Sequence, residues 1–187
     1  MTSGFVTRQF GTPRGAARLA LSYAEVAAGL VPTVSPRPQE VRRLVFVCHG
    51  NICRSAYAEA LARRAGFATA SFGLSTTTGA QAYAPLAEIA QRRGVALDGH
   101  GATARADFTD CEGDYLIAME ARHLRKLAAD AGLAELPRGL LGTYARPPFP
   151  HLHDPYELDP AYIETCLARI ESAVARLCLS FPAARAS

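Results

Sequence analysis

Two patterns of apolar and polar positions alternate along most of the chain: short continuous apolar runs, and apolar stripes with helical spacing. Residues 44–47 form the first apolar run, Leu-Val-Phe-Val, which is typical of a parallel strand that is buried on both faces. A helix is predicted over residues 54–65, because apolar side chains recur there every three or four positions and Gly66 follows. The first unit of the fold is therefore a strand, a tight loop and a helix.

The same alternation continues towards the end of the chain. It predicts strands over 67–72, 115–119 and 140–144, and helices over 85–93, 121–131 and 160–179. Strands that alternate with helices favour an α/β fold: a single doubly wound domain with a mostly parallel four-stranded sheet flanked by helices. Ligands of such folds bind beyond the carboxyl ends of the strands, so the loop after residue 47 is the first candidate site.

Residues 1–40 have a different pattern. A short helix is predicted over 16–29, and three prolines then punctuate a polar stretch that is typical of a linker. We therefore divide the chain into an N-terminal extension with a Pro-rich linker (1–40), a main domain (41–182) and a tail (183–187). The extension contains no evident catalytic residue, so we expect it to contact a partner or a second copy, and we expect catalysis to survive its removal.

Composition narrows the class of protein. The chain has 187 residues, of which 49% are hydrophobic and 20% charged, as in a globular protein with a real core. The net charge of +3 is too small to indicate nucleic-acid binding but suits an anionic ligand. No apolar run approaches the roughly 18 residues of a membrane span. Five cysteines without a secretory signal favour a reducing compartment, the cytoplasm.

The loop after the first strand has the chemistry of an anion site. Cys48 is followed six positions later by Arg54, and the backbone N–H groups of a loop that opens a helix converge on one anion. Arg54 adds a guanidinium that binds two oxygens at once. The residues between them complete a predicted phosphate-binding loop: His49, Gly50, Asn51, Ile52 and Cys53.

Cys48 is the candidate nucleophile of this loop. A helix N-terminus and a neighbouring guanidinium favour the thiolate, which is the reactive form of cysteine. Ser55 can donate its hydroxyl to that thiolate. Half a zinc site is the competing interpretation of Cys48 and Cys53, but no second Cys or His pair with ligand spacing is present. We therefore expect no metal and no other cofactor.

Residues 47–55 resemble the signature of the low-molecular-weight protein tyrosine phosphatases, Val-Cys-x-Gly-Asn-x-Cys-Arg-Ser. The likeness continues at 71–75, 114–119 and 154–156. The resemblance implies hydrolysis of phosphotyrosine in phosphorylated proteins through a cysteinyl-phosphate intermediate. It assigns the nucleophile to Cys48, phosphoryl binding to Arg54, assistance of the thiolate to Ser55 and the general acid to Asp154.

The resemblance also implies supporting residues. Ser71 and His100 would join Asn51 and Ser55 in a hydrogen-bond network, and Tyr156 would line the substrate slot. Thr77 falls in the slot where many members of the family have an aromatic residue, and Ala56 replaces a usual proline.

Asp154 competes with Asp159 for the role of acid, because each precedes a proline. Asp159 has a structural explanation, since Asp followed by Pro is a common helix start. Three histidines could also donate protons, but we interpret His49, His151 and His153 as ordinary solvent-facing loop residues.

Three alternative functions remain open. A protein-arginine phosphatase of this family typically has Thr at the position of Ile52, whose apolar side chain better suits an aromatic ring. An arsenate reductase needs further cysteines, one of them near the end of the third strand, where this chain has Ala118-Met119-Glu120. A catalytically weak phosphoprotein-binding module would lose the nucleophile or the acid, and this chain has both.

Cys53 suggests redox regulation. A reactive thiolate at Cys48 is open to peroxide, and its sulfenic acid is protected if a second thiol condenses with it. Cys53 lies in the same tight loop, and the resemblance implies the same pairing. We therefore expect reversible oxidation, with Cys53 as the resolving thiol.

Overall fold

Four parallel strands form the centre of the computed structural model, which describes residues 2–186; Met1 of the predicted extension and Ser187 of the predicted tail lie outside the described residues. The strands are β1 (Arg43–Cys48), β2 (Thr69–Gly73), β3 (Asp114–Ala118) and β4 (Arg138–Leu140). Their order in the sheet is β2-β1-β3-β4, and every neighbouring pair is parallel. The predicted α/β fold with a parallel four-stranded sheet is confirmed.

Six α-helices accompany the sheet within the described part of the chain. They are α1 (Thr2–Phe10), α2 (Pro13–Ala27), α3 (Arg54–Arg64), α4 (Ala84–Arg92), α5 (Ala121–Ala129) and α6 (Pro160–Ser180). Helix α1 was not predicted, because the short sequence TSGFVTRQF has no regular apolar stripe and contains a glycine. The other predicted helices agree with the structure to within a few residues at each end.

The strand predicted over 140–144 is wrong. The strand β4 ends at Leu140, and a 3-10 turn follows from Leu141 to Tyr144. The Thr143 hydroxyl donates to the Leu140 carbonyl oxygen at 2.7 Å, so this carbonyl is satisfied within the turn instead of by a neighbouring strand. The apolar run looked like a strand because a short buried turn has the same composition.

Alternate residues of β1 face opposite sides of the sheet. Leu44 and Phe46 join a core cluster with residues of α3, α4 and α6, whereas Val45 and Val47 join a second cluster with residues of α5. The strand is therefore buried on both faces, as its continuous apolar run predicts.

The Pro-rich segment runs along the edge of the sheet. Val34 exchanges two backbone hydrogen bonds of 2.9 Å with Arg138 of β4, and the Arg138 Nε donates to the Pro32 carbonyl at 2.9 Å. Glu25 of α2 pairs with Arg125 of α5 at 2.7 Å. The segment predicted as a linker is therefore packed against the main domain.

The described part of the tail is also packed. Pro182–Ala184 form a 3-10 turn, and the Ala186 N–H donates to the Gly66 carbonyl at 2.9 Å. Arg185 forms an isolated antiparallel bridge with Phe67. Within residues 2–186, no helix has the length and apolar character needed to span a membrane.

Candidate active site

The loop between β1 and α3 gathers around the end of the first strand. Cys48 is the last residue of β1, and Arg54 is the first residue of α3. Asn51 adopts a left-handed backbone with φ of 54°, a conformation that asparagine tolerates better than most residues. Gly50, which precedes it, does not adopt this conformation.

Two hydrogen-bond donors lie beside the buried Cys48 sulfur. The Asn51 N–H donates to Sγ at 3.2 Å, and the Ser55 Oγ lies 3.0 Å from Sγ. The Asn51 side-chain amide donates to the same Ser55 oxygen at 2.9 Å, and the Ser55 hydroxyl proton is free to be donated to sulfur. Asn51 and Ser55 therefore provide two hydrogen-bonding groups beside the sulfur of Cys48.

The network predicted behind the loop is assembled in the structure. The Asn51 Nδ2 donates to the Ser71 Oγ at 2.8 Å, and the His100 Nε2 lies 2.6 Å from the Asn51 carbonyl oxygen. Two further members, Glu59 and Thr103, were not predicted from the sequence. Ser71 donates to the buried Glu59, and the Thr103 N–H donates to the Asn51 Oδ1 at 2.8 Å. Both the amide nitrogen and the amide oxygen of the Asn51 side chain are therefore hydrogen-bonded.

Arg54 is completely buried at the centre of the site. Its Nη1 donates to the Glu120 Oε1 at 2.6 Å and to the Leu152 carbonyl at 2.7 Å, and its Nη2 lies 2.8 Å from the Asp154 Oδ2. Burial by itself would lower the pKa of Arg54, but Asp154 and Glu120 outweigh it and raise the pKa. The Nε is buried without a hydrogen-bond partner, so the guanidinium retains N–H donors for an anion.

Glu120 is a functional candidate that the sequence analysis missed. It follows the end of β3 and is 1% exposed. Burial opposes its ionisation, but Arg54, with smaller contributions from His123 and Arg122, lowers the pKa of Glu120 well below its usual value. The sequence contains one signal that could have identified Glu120: it is an acidic residue just after β3, the strand next to β1. The carboxyl ends of parallel strands lie at the same edge of the sheet, so Glu120 could have been expected near Arg54.

Two histidines predicted to face solvent are placed differently. His151 is 4% exposed, with its Nδ1 3.7 Å from the Glu120 Oε2, and burial lowers the pKa of His151 to about 4. His153 is half-buried, and burial lowers its pKa as well. These two predictions are wrong, because the loop that carries both residues packs against Glu120 and the N-terminal helices. His49 is exposed as predicted.

His123 of α5 adds a third buried imidazole near Glu120. Its Nε2 lies 3.7 Å from the Glu120 Oε1, and neither ring nitrogen has a hydrogen-bond partner. Burial lowers the pKa of His123 to about 3, so the ring is neutral at physiological pH.

The two candidate acids have different surroundings. Asp154 lies in the loop before α6 and pairs with Arg54, and its side chain is 32% exposed. Asp159 is the N-cap of α6, where its Oδ1 accepts a hydrogen bond of 2.8 Å from the Ala161 N–H. The structure thus places Asp154 beside the phosphate-binding loop and gives Asp159 the helix-capping contact that its sequence context predicts.

An aromatic pair lies next to the loop. The rings of Tyr83 and Tyr156 are 4.8 Å apart, and the Tyr83 N–H donates to the Ile52 carbonyl at 2.9 Å. Tyr156 remains 45% exposed. Thr77 lies exposed in a separate turn closed by Ala80. The ring that packs against Tyr156 is that of Tyr83, which was not predicted from the sequence.

Cys53 is buried at the N-cap of α3. Burial is the main reason why its pKa is raised, and the nearby carboxylate of Asp154 adds to the effect. All five cysteines are free thiols. Among residues 2–186, no group of three or more His, Cys, Asp or Glu side chains is arranged to hold a metal ion.

The region of the chain that contains this site is similar to known proteins. The sequence model of one family, described as low molecular weight phosphotyrosine protein phosphatase, matches residues 43–185. The chain belongs to this family. The match leaves α1, α2 and the Pro-rich segment outside it.

Curated relatives carry the same family name. The low molecular weight protein-tyrosine-phosphatase Etp of Escherichia coli K12 is 33% identical over 90 residues, which cover 47% of this chain and 61% of Etp. The aligned region thus spans less than two thirds of that relative. The probable low molecular weight protein-tyrosine-phosphatase EpsP of Ralstonia solanacearum is 26% identical over 144 residues, covering 72% of this chain and 92% of EpsP.

Solved structures have the same fold. The Erwinia amylovora tyrosine phosphatase amsI superimposes with a TM-score of 0.65 at 25% identity, covering 75% of this chain and 93% of amsI. The tyrosine phosphatase Wzb from Escherichia coli K30, solved in complex with sulphate, gives a TM-score of 0.65 at 25% identity over 74% of this chain and 97% of Wzb. The YwlE arginine phosphatase from Geobacillus stearothermophilus shares the fold at 20% identity and a TM-score of 0.63, with 74% and 91% of the chains covered.

Proposed function

We propose that this member of the family hydrolyses phosphotyrosine in phosphorylated proteins through a cysteinyl-phosphate intermediate. The observation that carries the proposal is the meeting of three groups in one place. The Cys48 sulfur receives two hydrogen-bond donors, the buried Arg54 retains an unpartnered Nε, and Asp154 lies 2.8 Å from the same guanidinium. A nucleophile, an anion binder and an acid are the parts that this chemistry needs.

In the first step the Cys48 thiolate attacks phosphorus in line with the tyrosyl oxygen. The S–P bond forms while the P–O bond to the tyrosine breaks, and protonated Asp154 transfers its proton to the departing oxygen. Arg54 and the loop N–H groups stabilise the negative charge on the phosphoryl oxygens. The products of this step are free tyrosine side chain and phosphocysteine.

In the second step water attacks the phosphorus of the phosphocysteine. The Asp154 carboxylate accepts a proton from this water as the new P–O bond forms, and the S–P bond breaks to release inorganic phosphate. The Cys48 thiolate leaves with its electron pair, and the hydrogen bonds from Ser55 and the Asn51 N–H stabilise it. Asp154 is again protonated for the next turnover.

The aromatic pair supports an aryl phosphate as substrate. Tyr83 and Tyr156 offer ring surfaces beside the loop, and the half-buried Ile52 adds an apolar contact. The arginine phosphatases that share the fold make phosphoarginine the second candidate, and Ile52 in place of threonine is the observation against it. The free thiols support action in a reducing compartment, the cytoplasm.

Initial rates separate these substrates. We expect kcat/KM for a phosphotyrosine peptide to exceed that for matched phosphoserine and phosphoarginine peptides by at least about 100-fold, because only the first places an aromatic ring against the Tyr83 and Tyr156 pair. A preference for phosphoarginine would overturn the substrate assignment and keep the mechanism. No hydrolysis of any of the three would overturn both.

A further inference from the structure

The N-terminal helices pack directly behind the loop that carries Asp154, and this region lies outside the family match. We call residues 145–159, between the 3-10 turn after β4 and α6, the acid loop. The Thr12 Oγ1 lies 3.2 Å from the His153 Nε2, and the Tyr23 hydroxyl donates to the Pro148 carbonyl. The extension therefore contacts the acid loop at two separated points.

Two glycines allow this close approach. A Cβ at Gly15 would lie 2.1 Å from the Phe10 carbonyl oxygen and 2.9 Å from the His153 ring, and a Cβ at Gly11 would lie 2.8 Å from the Leu158 side chain. Distances below 3 Å are clashes, so the backbone just before α2 and in its first turn packs closely on His153 and Leu158, which flank Asp154 in the acid loop. Gly11 also has a left-handed φ of 75°, which glycine adopts without strain.

The hydroxyl of Thr12 also sets the orientation of His153. Its oxygen accepts the Gly15 N–H at 2.9 Å as the N-cap of α2 and lies 3.2 Å from the His153 Nε2. The other ring nitrogen of His153, Nδ1, lies 3.5 Å from the His151 Nε2. The chain of contacts ends at Glu120, the partner of Arg54.

Tyr162 and Arg54 of the main domain hydrogen-bond to the main chain of the acid loop. The Tyr162 hydroxyl donates to the His153 carbonyl at 3.0 Å, and the Leu152 carbonyl accepts from Arg54 at 2.7 Å. Without the Thr12 hydroxyl, His153 would keep the contact of its backbone with Tyr162 but lose one of the two polar contacts of its ring. The residue after His153 is Asp154.

We propose that Thr12 is a positioning residue for the general acid: through His153 it orders the acid loop and sets where the Asp154 carboxyl group lies. The inference rests on the proposed function for its catalytic consequence, although the ordering of the loop does not depend on it. The extension then contributes to positioning the general acid, in contrast to the expectation that catalysis survives its removal.

The experiment compares the full chain with Thr12→Val, Thr12→Ser and His153→Phe on two aryl phosphates. Phenyl phosphate has a poor leaving group that needs the acid, whereas 4-nitrophenyl phosphate needs it far less. We expect Thr12→Val and His153→Phe to lower kcat/KM about tenfold for phenyl phosphate and at most about twofold for 4-nitrophenyl phosphate. Thr12→Ser keeps the hydroxyl and should restore both rates.

Glu25→Gln is the matched control, because it removes a contact between the extension and α5 that lies away from the acid loop. It should leave the ratio of the two rates unchanged. Equal losses on both substrates in Thr12→Val, or no loss in either variant, would overturn the inference. His153→Phe fills a similar space without the ring nitrogens. If Thr12→Val does not fold, the ratio of the two rates in His153→Phe tests the inference instead.

Hydrogen exchange of the acid loop provides a readout that is independent of turnover. We expect the Leu152 and Leu158 amides, which donate within or from this loop, to exchange at least about fivefold faster in Thr12→Val than in the unaltered protein. Unchanged exchange would overturn the inference. If the unaltered protein hydrolyses neither phosphate, the proposed function fails, and the exchange rates still decide whether Thr12 orders the loop.

Discussion

The Arg54 Nη2 lies 2.8 Å from the Asp154 Oδ2, so the guanidinium that would bind the phosphoryl group already pairs with the proposed acid. A phosphoryl dianion at Arg54 brings negative charge next to this carboxylate. One guanidinium would therefore contact both the phosphoryl group and the proposed acid.

The assignment of nucleophile and acid predicts distinct effects of three substitutions. Cys48→Ser should abolish turnover and retain binding of phosphate or vanadate. Asp154→Asn should lower kcat by about 10²–10⁴-fold, with smaller losses for good leaving groups. Asp159→Asn is the matched control, because its amide oxygen can still cap α6. A large loss in Asp159→Asn with normal activity in Asp154→Asn would reverse the assignment.

Glu120 should orient Arg54 for the phosphoryl group. Glu120→Gln keeps the size of the side chain but removes the charge that pairs with Nη1. We expect kcat/KM to fall by about 10- to 100-fold, since small misplacements of a binding group have effects of this size, and we expect weaker inhibition by phosphate. Asp130→Asn, which breaks a surface pair with Arg105, serves as the control. Normal kinetics in a folded Glu120→Gln protein would exclude the orienting role.

The aromatic pair should contribute to the affinity for phosphotyrosine. Tyr83→Ala and Tyr156→Ala should each lower kcat/KM for a phosphotyrosine peptide by about twofold to tenfold, in line with the roughly 0.5–1.5 kcal/mol of an aromatic contact. Thr77→Ala should change it by less than about twofold. The reverse result, with Thr77 sensitive and Tyr83 insensitive, would place the slot elsewhere.

The buried histidines predict that stability falls in mild acid. Burial lowers the pKa of His151 to about 4 and that of His123 to about 3, from an ordinary value of 6.5. The unfolded state therefore binds protons that the folded state does not, and the free energy of unfolding decreases as pH falls from about 6.5 to 4. Urea unfolding at several pH values measures this slope.

Two variants separate titration from general destabilisation. His151→Gln should reduce the slope of stability with pH, because it removes one titrating group. Leu127→Ala, in the core beneath α5, should lower stability and keep the slope. Equal slopes in all three proteins would show that His151 does not titrate in this range.

Peroxide should inactivate the enzyme reversibly through Cys53. Oxidation converts the Cys48 thiolate to a sulfenic acid, and condensation with the Cys53 thiol would form a disulfide and release water. Because burial raises the pKa of Cys53, this condensation should accelerate as pH rises. Dithiothreitol should restore activity, and bound phosphate should slow the loss.

The Cys53→Ser variant tests the resolving role. It should remain active but lose activity irreversibly after peroxide, because the sulfenic acid oxidises further. Cys111→Ser, at an exposed position, should recover like the unaltered protein. Full recovery of Cys53→Ser would leave Cys53 as a packing residue only.

Local patterns predicted the parts of this molecule that depend on neighbours in sequence. The apolar run of β1 and the spacing of Cys48, Arg54 and Ser55 lie within a dozen residues, and the structure places them as one strand, loop and helix start. Glu120 was missed because it meets Arg54 across 66 positions of the chain. Only the parallel order of the strands brings these two residues to the same edge of the sheet.

The burial of His151 and the packing of the N-terminal extension on the acid loop could not be predicted for a related reason. A histidine between prolines and polar residues has the local composition of an exposed loop. Its burial depends on packing against Glu120, which no short window of sequence around His151 contains. Helix α1 is likewise held by contacts with α6 and not by its own pattern.

The contact between Thr12 and His153 also sets an order of events during synthesis. The two residues are 141 positions apart, so at about 5–20 residues per second the ribosome needs roughly 7–30 s to extend the chain from one to the other. During this interval the acid loop and α6, against which α2 and α1 pack, do not yet exist. The newly made chain therefore gains the support behind Asp154 only after its loop, strand and helix scaffold has been synthesised.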